Sequence, residues 1–230
     1  MPIPTISGAQ VAWITAAQMA EIDRIMIEDM GITLLQMMEN AGRSLADLAR
    51  ELFTPKSVSI LAGSGGNGGG GLTAGRHLHN LGVEVTVSLS SDHLGEAAAH
   101  QSGTLRQMGI PFSEEPVLDA DLVIDAMVGY SLTGELSGKA NEWASTLAGQ
   151  TPVLSLDIPS GLDTSGGRSK SGVTATATLT LCLPKVGLRD ATATGDLYLA
   201  DISVPASVVA HVTSDPAPPF EQGRILHIAT

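Results

Sequence analysis

Residues 63 to 71 read Gly-Ser-Gly-Gly-Asn-Gly-Gly-Gly-Gly, seven glycines in nine positions, and no other segment restricts the fold as much. The segment follows an apolar, β-branched run, Ser57 to Ala62, and precedes a helical pattern from Leu72 to Leu81. Strand, glycine loop and helix in that order form the unit from which parallel sheets are built. Gly63, Gly65 and Gly68 satisfy G-x-G-x-x-G, which in this setting lets backbone N–H groups and a helix N-terminus approach a pyrophosphate. The Lys-Ser/Thr of a Walker loop is absent, which disfavours NTP hydrolysis of that type. An ordinary dinucleotide dehydrogenase would place an acid about 20 residues beyond the loop to hold a ribose. Ser88 and Ser90 occupy that stretch, and Asp92 comes late.

The rest of the chain continues the alternation. Thr15-Ala-Ala-Gln18 and Thr33-Leu-Leu-Gln36 have the form in which a hydroxyl and an amide satisfy the free N–H groups at a helix start. Apolar stripes come next, Met19, Ile22, Met26 and Ile27 in the first helix, and Leu34, Met37, Met38, Ala41, Leu45 and Leu48 in the second. Val83 to Leu89 alternates as a strand does, and a helix through Leu94 to Met108 returns the chain to Ile110-Pro-Phe112. Asp121 to Asp125 and Pro152 to Asp157 are short apolar strands that each end in an acid, with a helix around Asn141 to Leu147 between them. Val173 to Leu183 and Gly195 to Ile202 read as closing strands.

The expected architecture is one α/β domain over residues 1–230, with its core at about 14–205. The Pro-rich tail, 213–230, is read as a mobile extension or an arm laid on a neighbour.

Composition narrows the function. With 43% hydrophobic and 16% charged residues the chain can bury a large core. Only 3% aromatic residues and a formal net charge of −12 argue against a base-stacking platform and against nucleic acid as a partner. A lone cysteine, Cys182, has no internal disulfide partner, which suits a reducing, cytoplasmic setting. The first residues lack the basic start and apolar stretch of a signal peptide, and no apolar run reaches the 18 residues of a membrane span, so no membrane partner is expected.

Parallel strands would bring Asp125 and Asp157 to the same sheet edge as Asn67. Both acids could simply cap turns or helix starts. Together with Asn67 and the Ser160 hydroxyl, however, they make an oxygen-rich cluster suited to a hard cation or to proton transfer. The six histidines are scattered without zinc-site spacing, and Ser160 lies in Pro-Ser-Gly with no evident base, against a hydrolase triad.

Five ordered motifs resemble the YjeF N-terminal domain family, whose enzymatic members are NAD(P)H-hydrate epimerases. They are Met38-Glu-Asn-Ala-Gly42, the glycine segment Gly63 to Gly71, Asp125-Ala126 with Gly129, Asp157-Ile-Pro-Ser-Gly161 and Leu183-Pro-Lys185. The resemblance spans about Ile14 to Pro205. It implies a three-layer αβα Rossmann-like fold with a mostly parallel sheet, commonly homodimeric, that interconverts the R and S forms of hydrated NADH or NADPH. A separate dehydratase would complete the repair of the damaged cofactor.

The resemblance also implies a potassium ion at Asn67, Asp125 and Ser160. The nucleotide would meet Gly66, Asn67, Gly68, Gly69 and Gly70, the stretch Gly129, Tyr130, Ser131, Leu132, Thr133, Gly134 and Glu135, and Asp157. Asp157 is the expected acid/base. Two departures stand out. The family's N-N-G-G-D is Gly66-Asn-Gly-Gly-Gly70 here, and its F-G-T-G-L is Val128-Gly-Tyr-Ser-Leu132. The alternative is a non-catalytic or repurposed nucleotide-binding or scaffold protein of the same fold.

Overall fold

The computed structural model describes residues 2–147, 149, 151–164, 171–189 and 191–229. Among these the strands are β1 (Thr5–Ser7), β2 (Ser57–Ala62), β3 (Glu84–Leu89), β4 (Phe112–Ser113), β5 (Leu122–Ala126), β6 (Val153–Leu156), β7 (Ala177–Leu181), β8 (Asp196–Ala200) and β9 (Ile225–Ala229). They form one sheet in the order β1-β9-β8-β7-β6-β5-β2-β3-β4. Every neighbouring pair is parallel except β8 with β9. The α-helices are α1 (Ala16–Arg24), α2 (Leu34–Phe53), α3 (Gly66–Asn80), α4 (Glu96–Gln107), α5 (Gly138–Thr146), α6 (Ala191–Thr194) and α7 (Ala206–Val212).

Period-two alternation sorts each strand between two helical layers. Ile60, Ile124 and Leu154 pack with Leu45, Leu72 and Leu105 of α2, α3 and α4 on one face. Leu61, Val123 and Val153 pack with Trp143 of α5 on the other. The expected three-layer α/β architecture, with a mostly parallel sheet, is therefore present. From β2 the chain runs outward through β3 and β4, then crosses back to β5 on the opposite side of β2. Such a reversal opens a crevice beyond the carboxyl ends of the two central strands.

Both predicted capping boxes form. The Thr15 and Thr33 hydroxyls accept from the Gln18 and Gln36 N–H groups, and each glutamine side chain accepts from its threonine N–H in return. The stripe in the first helix is broken at Ile27, which is 43% exposed. A π-helical segment over Ile25–Asp29 adds a residue to the turn and shifts the phase of the residues after it.

The glycine segment is not a nine-residue loop, because α3 begins at Gly66. Glycine is a poor helix former, by about 1 kcal/mol per residue against alanine, so tertiary packing must dictate this composition. A methyl group at Gly69 would lie 2.6 Å from both Sδ and Cε of Met38, and one at Gly71 would lie 2.5 Å from Cβ of Ala126. On the facing helix, a methyl group at Gly42 would meet Thr73 Cβ at 2.5 Å. These glycines let α3 approach α2 and the sheet more closely than any side chain permits.

The tail also departs from expectation. Instead of an extension or an arm, Ile225–Ala229 enters the sheet between β8 and β1, with Leu226 and Ile228 buried against Leu197, Leu199 and Ile6. Leu226 and Ile228, two apart on the buried face, carry that strand and outweigh the prolines before it.

Candidate active site

Three strand ends deliver the candidate residues. β2 runs out at Gly63, where a methyl group would sit 1.8 Å from the Met127 carbonyl oxygen, so the first turn is locked against the segment leaving β5. β5 contributes Asp125, which faces Ser155 in the β6 ladder. β6 ends at Leu156, and the next residue is Asp157.

Asp125 is fully buried. Its Oδ1 accepts from the Ser160 hydroxyl at 2.6 Å, and its Oδ2 accepts from the Ser155 hydroxyl and the Ser160 N–H, both at 2.8 Å. Burial pushes this carboxyl above the ordinary aspartate range, against the pull of those donors. The Ser160 oxygen also accepts from the Val128 N–H at 2.9 Å. Asp125 and Ser160 thus brace the turns after β5 and β6.

Asp157 stands at φ 67°, in the left-handed region that few residues other than glycine adopt. That twist turns its carboxylate back over the sheet edge. Oδ1 accepts from the Lys185 ammonium at 2.5 Å, and Oδ2 accepts from the Tyr130 N–H at 2.9 Å. Lys185 also donates to the Leu181 carbonyl at 2.9 Å, and its side chain is wholly buried. Gly129 makes the convergence possible. A methyl group there would lie 3.1 Å from Asp157 Oδ2 and 3.2 Å from Asn67 Oδ1, so carboxylate and carboxamide both close on its Cα.

Asn67 has buried amide atoms, Oδ1 and Nδ2, that find no hydrogen-bond partner among the described residues. An unsatisfied buried amide costs free energy unless something else binds it. The donor set of Asn67, Asp125 and Ser160 is all oxygen apart from that amide nitrogen. Such a set fits the hard cation implied above better than a soft metal.

A cavity of about 90 Å³ is lined by Gly66, Asn67, Gly70, Tyr130, Asp157 and Lys185, with Asp23 and Met38 from the helical side, while Asp125 and Ser160 lie behind its lining. A second hollow of about 410 Å³ shares Leu34 and Gly66 with it and is edged by the starts of α2, α3 and α4. Gly68 and Gly69 face Gly63 and Met38 instead of the smaller cavity. Of residues 129–135, Tyr130 lines that cavity and Gly129 lies against Asp157, while Ser131, Thr133, Gly134 and Glu135 are exposed on the loop beyond. Leu132 is half-buried beneath them.

Two participants receive no role from the sequence, although Lys185 closes the Leu183-Pro-Lys185 motif. Lys185 is a single charge following the apolar run Leu179 to Pro184, which marks a buried, paired lysine. Asp23 lies four residues after Met19 on the apolar stripe of α1. It accepts a 2.6 Å hydrogen bond from the Tyr130 phenol.

Comparison with known proteins agrees with the geometry. The chain is 43% identical over 215 residues to the NAD(P)H-hydrate epimerase of Dehalogenimonas lykanthroporepellens, covering 89% of this chain and 87% of that one. It is 32% identical over 231 residues to the bifunctional NAD(P)H-hydrate repair enzyme Nnr of Salinibacter ruber, covering 88% of this chain but 43% of the relative. In three dimensions it matches the crystal structure of yeast ynu0, YNL200c, with a TM-score of 0.82 and 23% identity, over 94% of this chain and all of that one. Residues 34–187 match the family described as YjeF-related protein N-terminus. That span holds the glycine segment, both aspartates and the lysine, and the chain belongs to this family.

Proposed function

We propose that the protein is an NAD(P)H-hydrate epimerase, interconverting the R and S forms of hydrated NADH or NADPH. The observation that carries the reading is the meeting of the Asp157 carboxylate and the Asn67 carboxamide over Gly129, both lining one cavity of about 90 Å³. Relatives named for this activity, similar along most of their length, supply the substrate class.

In the hydrate, the carbon that bears the added hydroxyl is bonded to the ring nitrogen. Loss of that hydroxyl as water gives an iminium, and return of water to the opposite face gives the other epimer. Asp157 is the acid/base, held in one orientation by Lys185 and the Tyr130 N–H. The smaller cavity receives the nicotinamide end. The diphosphate lies toward the start of α3, where Gly65 offers no side-chain cap and the first N–H groups are open to an anion.

A potassium ion would be held by Asn67, Asp125 and Ser160, where its charge would offset the buried Asp125 carboxylate and give the Asn67 amide oxygen a partner. A homodimer, a cytoplasmic setting and a separate dehydratase that consumes one epimer complete the proposal. No helix of the described residues is long and apolar enough to cross a membrane.

The test uses purified protein, the R epimer of hydrated NADH and a dehydratase specific for the S epimer, with potassium or with choline as the cation. The expected result is potassium-dependent acceleration of NADH recovery over the spontaneous rate. Recovery at the spontaneous rate under both conditions would refute the epimerase reading and favour a binding protein of the same fold.

A further inference from the structure

Both departures from the family motifs fall in one cavity. Position 70, an acid in the motif, is glycine here, and position 130, a threonine in the motif, is tyrosine. Gly70 and Tyr130 line the same 90 Å³ space as Asp23, Asp157 and Lys185. A methyl group at Gly70 would meet only the Leu156 Cδ2 methyl, at 2.8 Å, so position 70 opens into that space and carries no functional group there.

Tyr130 is fixed at both ends. Its N–H donates to Asp157 Oδ2 at 2.9 Å and its phenol donates to Asp23 Oδ2 at 2.6 Å. The ring between them lies 5.9 Å from the Lys185 ammonium, measured to its centroid. Asp23 belongs to the last turn of α1, immediately before the π-helical segment, a type of distortion that recurs where a helix presents a functional side chain.

Building on the epimerase reading, we propose that Asp23 and Tyr130 form the relay that protonates the departing hydroxyl, taking the acid half of the work and leaving Asp157 the base for the returning water. Asp23, as the carboxylic acid, passes its proton to the phenol oxygen while the phenol proton moves to the hydroxyl on the hydrated carbon. The C–O bond breaks, the ring-nitrogen lone pair forms the C=N bond of the iminium, and water leaves. Asp23 is then a carboxylate accepting from Tyr130 across the 2.6 Å contact between the two. When water adds to the opposite face, the C=N electron pair returns to nitrogen and the proton released by that water passes to Asp157. Exchange with solvent resets both carboxyl groups. Burial raises Asp23 above the ordinary aspartate value, which favours the protonated starting form.

The experiment compares the full-length wild type with Tyr130→Phe, Asp23→Asn, the double variant and Gly70→Asp/Tyr130→Phe. Each is assayed with the R epimer of hydrated NADH and an S-specific dehydratase, after circular dichroism has established that it is folded. Each single variant is expected to lose about 100-fold in kcat, with KM changed less than about twofold. The double variant should lose no more than either single one, because the two groups act in series. Gly70→Asp should recover at least about tenfold of the Tyr130→Phe loss by supplying another acid. A purely structural role for Tyr130 would give no such recovery.

Wild-type kcat in both single variants, losses that multiply in the double variant, or no recovery from Gly70→Asp would overturn the proposal. A wild type without activity would sink the epimerase reading itself, a result distinct from any of these.

Discussion

The Lys185 ammonium lies 2.5 Å from Asp157 Oδ1, and both side chains are shut away from water. A buried pair of this kind contributes little net stability while intact, but removing one member strands the other charge, at about 3–5 kcal/mol. Asp157→Asn should therefore lower stability as well as activity, the latter by about 100-fold or more. Adding Lys185→Met should restore most of the lost stability and none of the activity. Urea denaturation alongside the coupled assay separates the two effects, and parallel recovery of both would argue that Asp157 is structural.

The glycines of α3 divide by what lies against them. Gly69→Ala and Gly71→Ala drive a methyl group into Met38 and Ala126 and should each cost about 1–3 kcal/mol. Gly65→Ala, with open space around it, should stay within about 0.5 kcal/mol of wild type. Equilibrium denaturation of the three variants checks the ranking.

A cation that partners Asn67 binds the folded state alone and must stabilise it, by about 2.7 kcal/mol at a hundred times its Kd. The melting temperature should rise with potassium chloride and stay flat with choline chloride of equal ionic strength. Asn67→Leu should abolish the rise. Persistence of the full potassium shift in that variant would remove Asn67 from the binding site.

Asp23 gives a dependence on pH of known sign. Burial raises its folded-state pKa above the unfolded value near 3.8, with the Tyr130 hydrogen bond opposing. Between those two values the folded protein binds the proton more tightly. The Asp23 contribution to stability is therefore fullest below about pH 3.8 and falls as pH rises through the folded pKa. The difference in melting temperature between wild type and Asp23→Asn, followed across this range, should move against the wild type as pH increases. A difference constant with pH would contradict the assignment.

Much of the scaffold was legible because it rests on local rules. Thr15 and Thr33 cap helices by spacing alone, and the apolar runs ending in Asp125 and Asp157 announce strands that meet at one edge. The tail misled because Pro216, Pro218 and Pro219 dominate its composition, while β9 gains its stability from pairing with β8 on one side and with the far more distant β1 on the other. The extent of α3 was hidden for a similar reason, since glycine signals a loop until Met38, Ala126 and Thr73 are known to press on the helices. At the site, oxygen-bearing residues could be picked out by type. The roles of Asp23 and Lys185 depend on which neighbours face them across the fold, and linear spacing does not encode that.

The pairing of β1 with β9 also governs how the molecule comes into being. Thr5 lies opposite His227, a separation of 222 residues, so β1 waits for its partner until every strand between them in sequence has been synthesised. Contacts so distant in sequence are slow to form, and the central strands can assemble around β2 and β5 well before that edge closes. The same adjacency sets β1, one edge of the sheet, beside β9, the strand most distant from it in sequence. Because the pair is parallel, a link from the end of β9 to the start of β1 must run back along both strands, so a circular permutant opened at the exposed Gly82 turn between α3 and β3 needs a crossover peptide of about a dozen residues, and in it this late contact becomes one of the first.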